Sequence, residues 1–230
     1  MKLRALFIAC SLLLFLSFSS YSQVKSGSKN SIGIQTGYNR GYGITGNFTI
    51  NNLAEGLPGN LRIGIGYNRL APGNAADARR IFINNATNGV PEKKGKSFDY
   101  RLDYMMPYKI LNFKDSYLVF GPRYSSFTGN FNYVGGNENF DITSKQWGIG
   151  FGGESYFKMS KQLDLVLATG LDYFFNSKLQ GHDTSYSPNN DNVNPRTDGN
   201  DNPYTFKDAN KAVKQPQLMP RIMIGVTYRL

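Results

Sequence analysis

Apolar and polar residues alternate along eight segments of the chain, each bounded by Gly, Asn, Asp, Pro or Ser. The fourth segment shows the pattern best, because Phe98, Tyr100 and Leu102 alternate with Asp99 and Arg101. A period of two residues is typical of β-strands whose two faces meet different surroundings. The alternation predicts eight strands, over residues 32–39, 44–51, 61–68, 98–110, 117–125, 146–157, 163–175 and 220–230.

Pro122 lies on the apolar face of the fifth predicted strand. Proline has no backbone N–H to donate to a neighbouring strand, so in sheets it occurs mainly at edges and bulges. We therefore expect a β-bulge at this position.

The charged residues of these segments lie on the polar side of the alternation, opposite the apolar residues. A cation that faces lipid near the bilayer centre costs about 2 to 4 kcal/mol, so charges on strands with a lipid-facing apolar side point into a lumen. An eight-stranded barrel is just wide enough for side chains to fill, and we expect these acids and bases to pair. A path for protons or ions is the alternative. The predicted lumen charges are Arg62, Asp99, Arg101, Asp103, Lys109, Arg123, Glu154, Asp164, Asp172, Arg221 and Arg229.

The last segment alone leaves two architectures open, a lipid-facing strand or a strand of a soluble sandwich whose apolar side points inward. The connections separate them. Those at 52–60, 112–116 and 160–162 are short, whereas 72–97, 128–142 and 181–215 are long, and only 40–43 is short on that side. The sequence therefore predicts an all-β fold, an eight-stranded antiparallel transmembrane β-barrel with short periplasmic turns and long extracellular loops.

The start of the chain has the pattern of a secretory signal peptide. Lys2 and Arg4 precede the apolar run 5–16, and a small-x-small site ends at Ser22. This pattern predicts a cleaved signal peptide over residues 1–22 and an outer-membrane barrel domain over 23–230. Cys10 is the residue that a lipoprotein would modify, but the apolar run continues beyond it. Cleavage after Ser22 removes this only cysteine, so disulfides are not expected.

Composition agrees with an exported barrel. The chain contains 25 Gly, 15 Tyr and 16 Phe, yet its mean hydropathy is -0.40. In membrane barrels the polar lumen and loops offset the apolar lipid face, and aromatic rings gather at the two membrane interfaces. Predicted outward aromatics are Tyr38, Tyr67, Tyr104, Tyr108, Trp147, Tyr173 and Tyr228.

The formal net charge of +10 narrows the class of partner. Such a charge also suits nucleic acid, but export and membrane insertion argue against nucleic acid and favour lipopolysaccharide phosphates. A solvated loop is the alternative. The candidate anion-binding residues lie in the second outer loop and are Arg79, Arg80, Lys93, Lys94 and Lys96.

Two further features concern catalysis and metal binding. His182, the only histidine, begins His182-Asp183-Thr184-Ser185 at the outer end of the seventh strand, and lipid A deacylases are barrels with a His and a Ser near the outer leaflet. Their His-x-Ser spacing is absent here, since Thr184 takes that place. The oxygen-rich loop 188–202 suits Ca²⁺, but it lacks the D-x-[DN]-x-[DN]-G spacing and is expected to be a disordered or loosely packed polar loop. We expect no cofactor and no metal.

The signal peptide, the Gln start after Ser-Tyr-Ser, the Tyr- and Gly-rich strands and the closing residues 225–230 resemble the small outer-membrane β-barrel domain family common in Bacteroidetes, which includes PorT-like proteins. The resemblance covers the mature chain and implies an outer-membrane barrel and, for some members, an accessory role in type IX secretion. Barrel proteins usually end in an aromatic residue that the barrel assembly machinery recognises. Leu230 stands there instead, with Tyr228 two positions earlier, which weakens the expected assembly signal.

Taken together, these features predict a non-enzymatic barrel of the outer membrane. Its outer loops are expected to contact lipopolysaccharide or a protein partner of the envelope or of a secretion system. Two alternatives stay open. One is a porin-like transport barrel with a narrow lumen, and the other is a lipid A deacylase-like enzyme that uses His182.

Overall fold

The computed structural model describes residues 30–51, 58–83 and 88–230. The predicted signal peptide lies outside these residues, as does most of the predicted connection 52–60. Eight long strands form the barrel, namely β1 (Asn30–Asn39), β2 (Tyr42–Ile50), β3 (Asn60–Leu70), β4 (Val90–Pro107), β5 (Ser116–Val134), β6 (Asn139–Lys158), β7 (Leu163–Phe174) and β10 (Leu218–Arg229). The described part also contains the short strands β8 (Leu179–Gln180) and β9 (Ser185–Tyr186) and the helices α1 (Ala75–Phe82) and α2 (Phe206–Val213).

The eight long strands close into an antiparallel barrel. From β1 to β7 each strand pairs with the next one along the chain. The strand β10 lies between β7 and β1, where Ile32 stands opposite Tyr228 and Tyr38 opposite Ile222. Closure satisfies the backbone groups that an open sheet leaves unpaired at its edges. The predicted fold class is confirmed.

Burial alternates along the strands in the predicted phase. Arg62 is 2% exposed, whereas its neighbour Ile63 is 51% exposed. The interior of the barrel is therefore polar and its exterior apolar, which is the reverse of a soluble protein. The sandwich interpretation of the last strand is wrong, because Arg221 is buried and Ile222 is 68% exposed.

At the extracellular end β4, β5 and β6 continue beyond the predicted strands. The predicted loop 128–142 is a hairpin, in which Asn132 still pairs with Asn139 and residues 135–138 form the turn. Here the buried, inward side chains include Phe131 and Phe140, while Asn130 faces outward. Outside the bilayer the outer face of these strands is in contact with water. Polar side chains therefore occupy the outer face, and apolar side chains point to the inside.

The expected bulge at Pro122 is wrong. The register between β4 and β5 is the same on both sides of this residue, since Arg101 pairs with Arg123 and Tyr104 with Phe120. The partner on β6 is Ile149, without an inserted residue. The missing N–H of proline thus interrupts the ladder locally and leaves the register intact.

Segments at the extracellular end fold into a cap, defined here as α1, α2, β8, β9, residues 214–216 and the outer ends of β3 to β6. The side chain of Asn74 caps α1, and Thr205 and Asp208 form a capping box at the start of α2. The predicted polar loop 181–215 is therefore partly regular structure. Neither helix, among the described residues, is long and apolar enough to cross a membrane. The core of the cap consists of Leu70, Ala75, Ala78, Ile81, Phe82, Phe127, Phe131, Tyr133, Phe140, Ile142, Leu179, Tyr186, Ala209, Ala212 and Val213.

Candidate functional site

Ion pairs cross the lumen at the middle of the barrel. Arg62 on β3 lies 2.6 Å from Glu154 on β6, measured from Nη1 to Oε2. Its Nη2 lies 2.8 Å from Oδ2 of Asp103 on β4. The other oxygen of Asp103 lies 2.6 Å from Nη1 of Arg123 on β5. One carboxylate thus bridges two guanidinium groups.

Asp172 on β7 repeats this arrangement. Its carboxylate accepts hydrogen bonds from Nε of Arg123 and from Nη1 of Arg221 on β10, both at 2.9 Å. A third cation, Arg101, has Nη2 3.9 Å from Asp172. The lumen network, defined as Glu154, Arg62, Asp103, Arg123, Asp172 and Arg221, therefore connects six of the eight barrel strands, and each member is at most 3% exposed.

Polar layers continue the lumen network towards both ends. On the extracellular side Asp99 accepts hydrogen bonds from Asn68 at 2.5 Å and from Ser125 at 2.6 Å. On the periplasmic side Arg229 lies 2.7 Å from Asp164. Buried charges need such partners, because an isolated charge in an apolar medium is very costly.

The side chains of the lumen network pack closely against the backbone of the barrel wall. A Cβ atom on Gly150 would overlap Oδ1 of Asp172 and Cζ of Arg123. At Gly170 a Cβ atom would lie 2.8 Å from Nη2 of Arg221. Glycine on the inner face of β6 and β7 thus provides the space that the arginines occupy.

The structure brings ten of the eleven predicted lumen charges into the barrel. Arg229 is the most open of the ten, with 31% of its side chain exposed at the periplasmic end. The prediction that Lys109 faces the lumen is wrong. This residue follows the end of β4 at Pro107 and is exposed in the periplasmic connection, because the strand ends before the alternation of the sequence does.

Segment 214–216, between α2 and β10, forms hydrogen bonds with the barrel wall on the extracellular side. Gln146 on β6 donates a hydrogen bond of 2.7 Å to the carbonyl of Pro216, and Ser144 donates one of 2.8 Å to the side chain of Gln215. From the β1–β2 turn, Arg40 donates to the carbonyl of Gln215 at 3.0 Å. The cap is therefore tied to the wall of the barrel by polar contacts as well as by its apolar core.

The five predicted anion-binding residues do not form one cluster. Arg79 and Arg80 lie on α1, and Arg80 is 3.9 Å from Asp77 in an exposed pair. The Nζ of Lys93 donates a hydrogen bond of 2.7 Å to the carbonyl of Gly73, just before α1. Lys93 thus has a structural contact inside the cap.

Lys94 and Lys96 lie on the outer face of β4. Lys94 is 3.9 Å from Glu92, with 81% of its side chain exposed. Lys96 stands opposite Arg69 on β3 and opposite Thr128 on β5. The sequence did not indicate Arg69, because it lies one residue beyond the predicted third strand.

His182 is exposed and its Nδ1 lies 2.7 Å from Oδ1 of Asp183. This hydrogen bond raises the pKa of the imidazole. Ser185 is buried on β9, where its backbone pairs with Val193. A serine hydrolase needs its base within hydrogen-bond distance of the nucleophile, and among the described residues no serine forms a hydrogen bond with His182.

In the Asn-rich loop, the carboxylate of Asp198 is occupied by local hydrogen bonds. It accepts from the backbone N–H groups of Asn200 at 2.8 Å and of Asn202 at 3.0 Å, and these bonds lower its pKa. Within residues 30–51, 58–83 and 88–230, no group of three or more His, Cys, Asp or Glu side chains is arranged to hold a metal ion.

A cleft of about 640 Å³ opens in the cap between the β5–β6 hairpin and residues 180–183. Its volume lies in the range of small-ligand sites. Polar side chains dominate its walls, and Phe82, Ile83 and Phe140 contribute the apolar part. The polar lining residues include Asn130, Glu138, Asn139, Asp141, Gln180, Asp183 and Arg196.

The exterior carries two aromatic zones separated by aliphatic side chains such as Ile65 and Ile149, which are 55% and 59% exposed. The zone towards the cap contains ring contacts with centroid distances of 5.1 to 6.1 Å, in the pairs Tyr67–Phe98, Tyr100–Tyr124 and Tyr124–Trp147. The periplasmic zone includes Tyr104–Phe120 and Phe113–Phe157. An apolar wall between aromatic girdles is the surface of a barrel in the outer membrane, and the chain is located there.

The structure is similar to solved outer-membrane proteins. A major outer membrane protein from Thermus thermophilus has a TM-score of 0.65 and 23% sequence identity, covering 88% of this chain and 99% of that one. Neisserial surface protein A (TM-score 0.38, 12% identity, 87% and 94% covered) and Acinetobacter baumannii CarO (0.36, 14%, 88% and 98%) are more distant. No family model and no curated protein matches the chain. The likeness to the Thermus protein establishes the fold, a small eight-stranded outer-membrane barrel.

Proposed function

We propose that the protein is a non-enzymatic, non-conducting barrel of the outer membrane, which holds a folded cap above the bilayer as an interaction surface. The observation that carries the proposal is the lumen network, in which Arg62 and Arg123 each join acids from two other strands. Such cross-links fill the space that an ion path requires.

The cap supports an interaction role. Its apolar core and its hydrogen bonds to the barrel wall give the loops one fixed shape. Binding surfaces on loops gain affinity when a rigid scaffold fixes them, because less conformational entropy is lost on association. Lipopolysaccharide and a protein partner of the envelope are the proposed ligands of this surface.

Planar-bilayer recording tests the proposal. Purified full-length protein should give no stable conductance steps, whereas a variant with Arg62→Ala and Arg123→Ala, which removes two large lumen side chains, should conduct. Stable steps from the wild-type protein would refute the sealed lumen and favour the transport alternative. The deacylase alternative is tested separately, because it requires that His182→Ala changes the acylation of lipid A in cells.

The narrower family assignment remains a prediction from the sequence. The proposed accessory role in type IX secretion rests on the resemblance to PorT-like barrels alone. Recognition by the barrel assembly machinery is expected for any barrel of this class. Cross-linking in native membranes, followed by identification of the attached proteins, tests both expectations.

A further inference from the structure

We propose that the outer face of β3, β4 and β6 binds the phosphate groups of a phosphorylated glycolipid in the outer leaflet, through Arg69, Lys96 and Lys145. This inference rests on the proposed function as an outer-membrane interaction barrel, and it names the lipid class and the residues that contact it. The candidate residues predicted from the sequence only partly overlap with this site, since Arg69 and Lys145 were not among them.

The first observation is a cross-strand pair of like charges. Arg69 and Lys96 are directly opposite each other on neighbouring strands, and both are exposed. Like charges in this position are destabilising. Among the described residues neither has an ion-pair partner, while the nearby Lys94 is paired with Glu92. An anion bound between Arg69 and Lys96 removes the repulsion.

The second observation is the height of the pair on the wall. Two residues closer to the periplasm on the same strands, Tyr67 and Phe98 are also opposite each other and their rings are 5.2 Å apart. Two residues of β-strand span about 7 Å. The cations therefore lie just above the aromatic girdle, at the level where lipid headgroups meet water.

The basic surface continues around the barrel. Lys96 pairs with Thr128 on β5, which pairs with Thr143 on β6. Two residues further along β6 on the same face lies Lys145, which stands opposite Ser126. Hydroxyl groups are good donors to phosphate oxygens. Neighbouring strands are about 4.8 Å apart, and Lys145 is offset by two residues, or about 7 Å, along β6, so the backbones of Lys96 and Lys145 are about 12 Å apart.

The acidic side chains near this surface lie further out or are occupied. Glu92 is next to Lys94, and Asp141 accepts a hydrogen bond of 2.7 Å from Asn130. The wall below the cations is apolar, as expected for a surface that faces acyl chains. A ligand that joins phosphate to hydrocarbon meets both parts of this surface, which favours a lipid over a free anion.

Trp147 provides a reporter for the experiment. It is the only tryptophan of the chain, is 66% exposed, and lies two residues from Lys145 on the same face of β6. Full-length protein in zwitterionic detergent is titrated with lipid A and with dephosphorylated lipid A, and Trp147 fluorescence is followed. The variant is Arg69→Gln with Lys96→Gln.

The matched control removes two lysines at the periplasmic end, Lys158→Gln with Lys161→Gln. We expect the wild type and this control to bind lipid A alike. The Arg69/Lys96 variant should bind about thirtyfold more weakly, because each basic residue near an anionic lipid surface is worth about fivefold in affinity. Dephosphorylated lipid A should bind as weakly to the wild type.

Three results would overturn the inference. They are equal binding by the Arg69/Lys96 variant, an equal loss in the Lys158/Lys161 control, and a fluorescence response to inorganic phosphate that matches the response to lipid A. Bilayer recording on the same preparations keeps the proposed function separate. Wild-type protein that conducts but still binds lipid A would refute the sealed lumen and leave this phosphate site standing.

Discussion

Replacing Arg62 with methionine removes one cation from the middle of the lumen network and keeps much of its volume. Asp103 retains an ion pair, because Arg123 lies 2.6 Å from it. Glu154 loses its ion-pair partner and keeps the hydroxyl of Tyr156 at 3.0 Å. A buried carboxylate without its cation costs about 3 to 5 kcal/mol. We expect Arg62→Met to lower the free energy of unfolding by about that amount.

A second substitution tests whether the cost comes from Glu154. Glu154→Gln removes the uncompensated charge, so the double variant with Arg62→Met should recover about 2 kcal/mol relative to Arg62→Met alone. The measurement is urea unfolding in lipid vesicles, followed by the mobility difference between folded and unfolded barrel on gels without heating.

Arg80→Met is the matched control. Its partner Asp77 is 3.9 Å away and both side chains are largely exposed, so a loss below about 1 kcal/mol is expected. If Arg62→Met costs no more than this control, or if Glu154→Gln worsens the loss, the assignment of the lumen network as the main polar cross-link of the barrel is refuted.

Three further predictions concern single positions. Gly150→Ala should destabilise the barrel by about 1 to 3 kcal/mol in the same assay, because the added Cβ would overlap the carboxylate of Asp172; unchanged stability would contradict the close packing. In NMR titrations His182 should keep its proton to higher pH than a free imidazole, and Asp183→Asn should lower its pKa towards the ordinary value, since the Asp183 hydrogen bond raises it; equal titration midpoints would show that this bond does not form. Thr205→Ala removes the N-cap hydrogen bond at the start of α2 and should destabilise this helix by about 1 kcal/mol. Proteolysis within the extracellular cap should then be faster, while the barrel stays folded.

The barrel could be predicted from the sequence because the bilayer imposes one pattern on every strand. Burying Arg62 while exposing Ile63 is unfavourable in water but required in lipid, so alternation identified both the strands and the lumen residues. The prediction for Lys109 was wrong because the alternation of the sequence continues past Pro107, where the strand ends. Which acid pairs with which base depends on the register around the whole barrel. No local pattern contains that information.

The cap could not be predicted, because its hydrophobic pattern follows a different solvent. Above the membrane the inward residues of β5, such as Phe127 and Phe131, form an apolar core, whereas lower on the same face Arg123 and Ser125 form a polar one. The same strand thus changes from a membrane pattern to a soluble one without a break. A sequence pattern that requires the same side of the strand to be polar throughout ends the strand at this transition and assigns the remaining residues to a loop.

The continuation of β4 past the aromatic girdle determines what another cell or an antibody encounters. From Phe98 to Val90 the strand advances about 26 Å, which is about 20 Å along the membrane normal at a tilt of about 40°. The top of the cap is thus raised well above the lipid headgroups. Because the inner side of α2, with Ala209 and Val213, is buried in the cap, the accessible antigenic surface combines residues distant in sequence. Antibodies against the folded cap should recognise intact cells, whereas antibodies against the isolated α2 peptide should not.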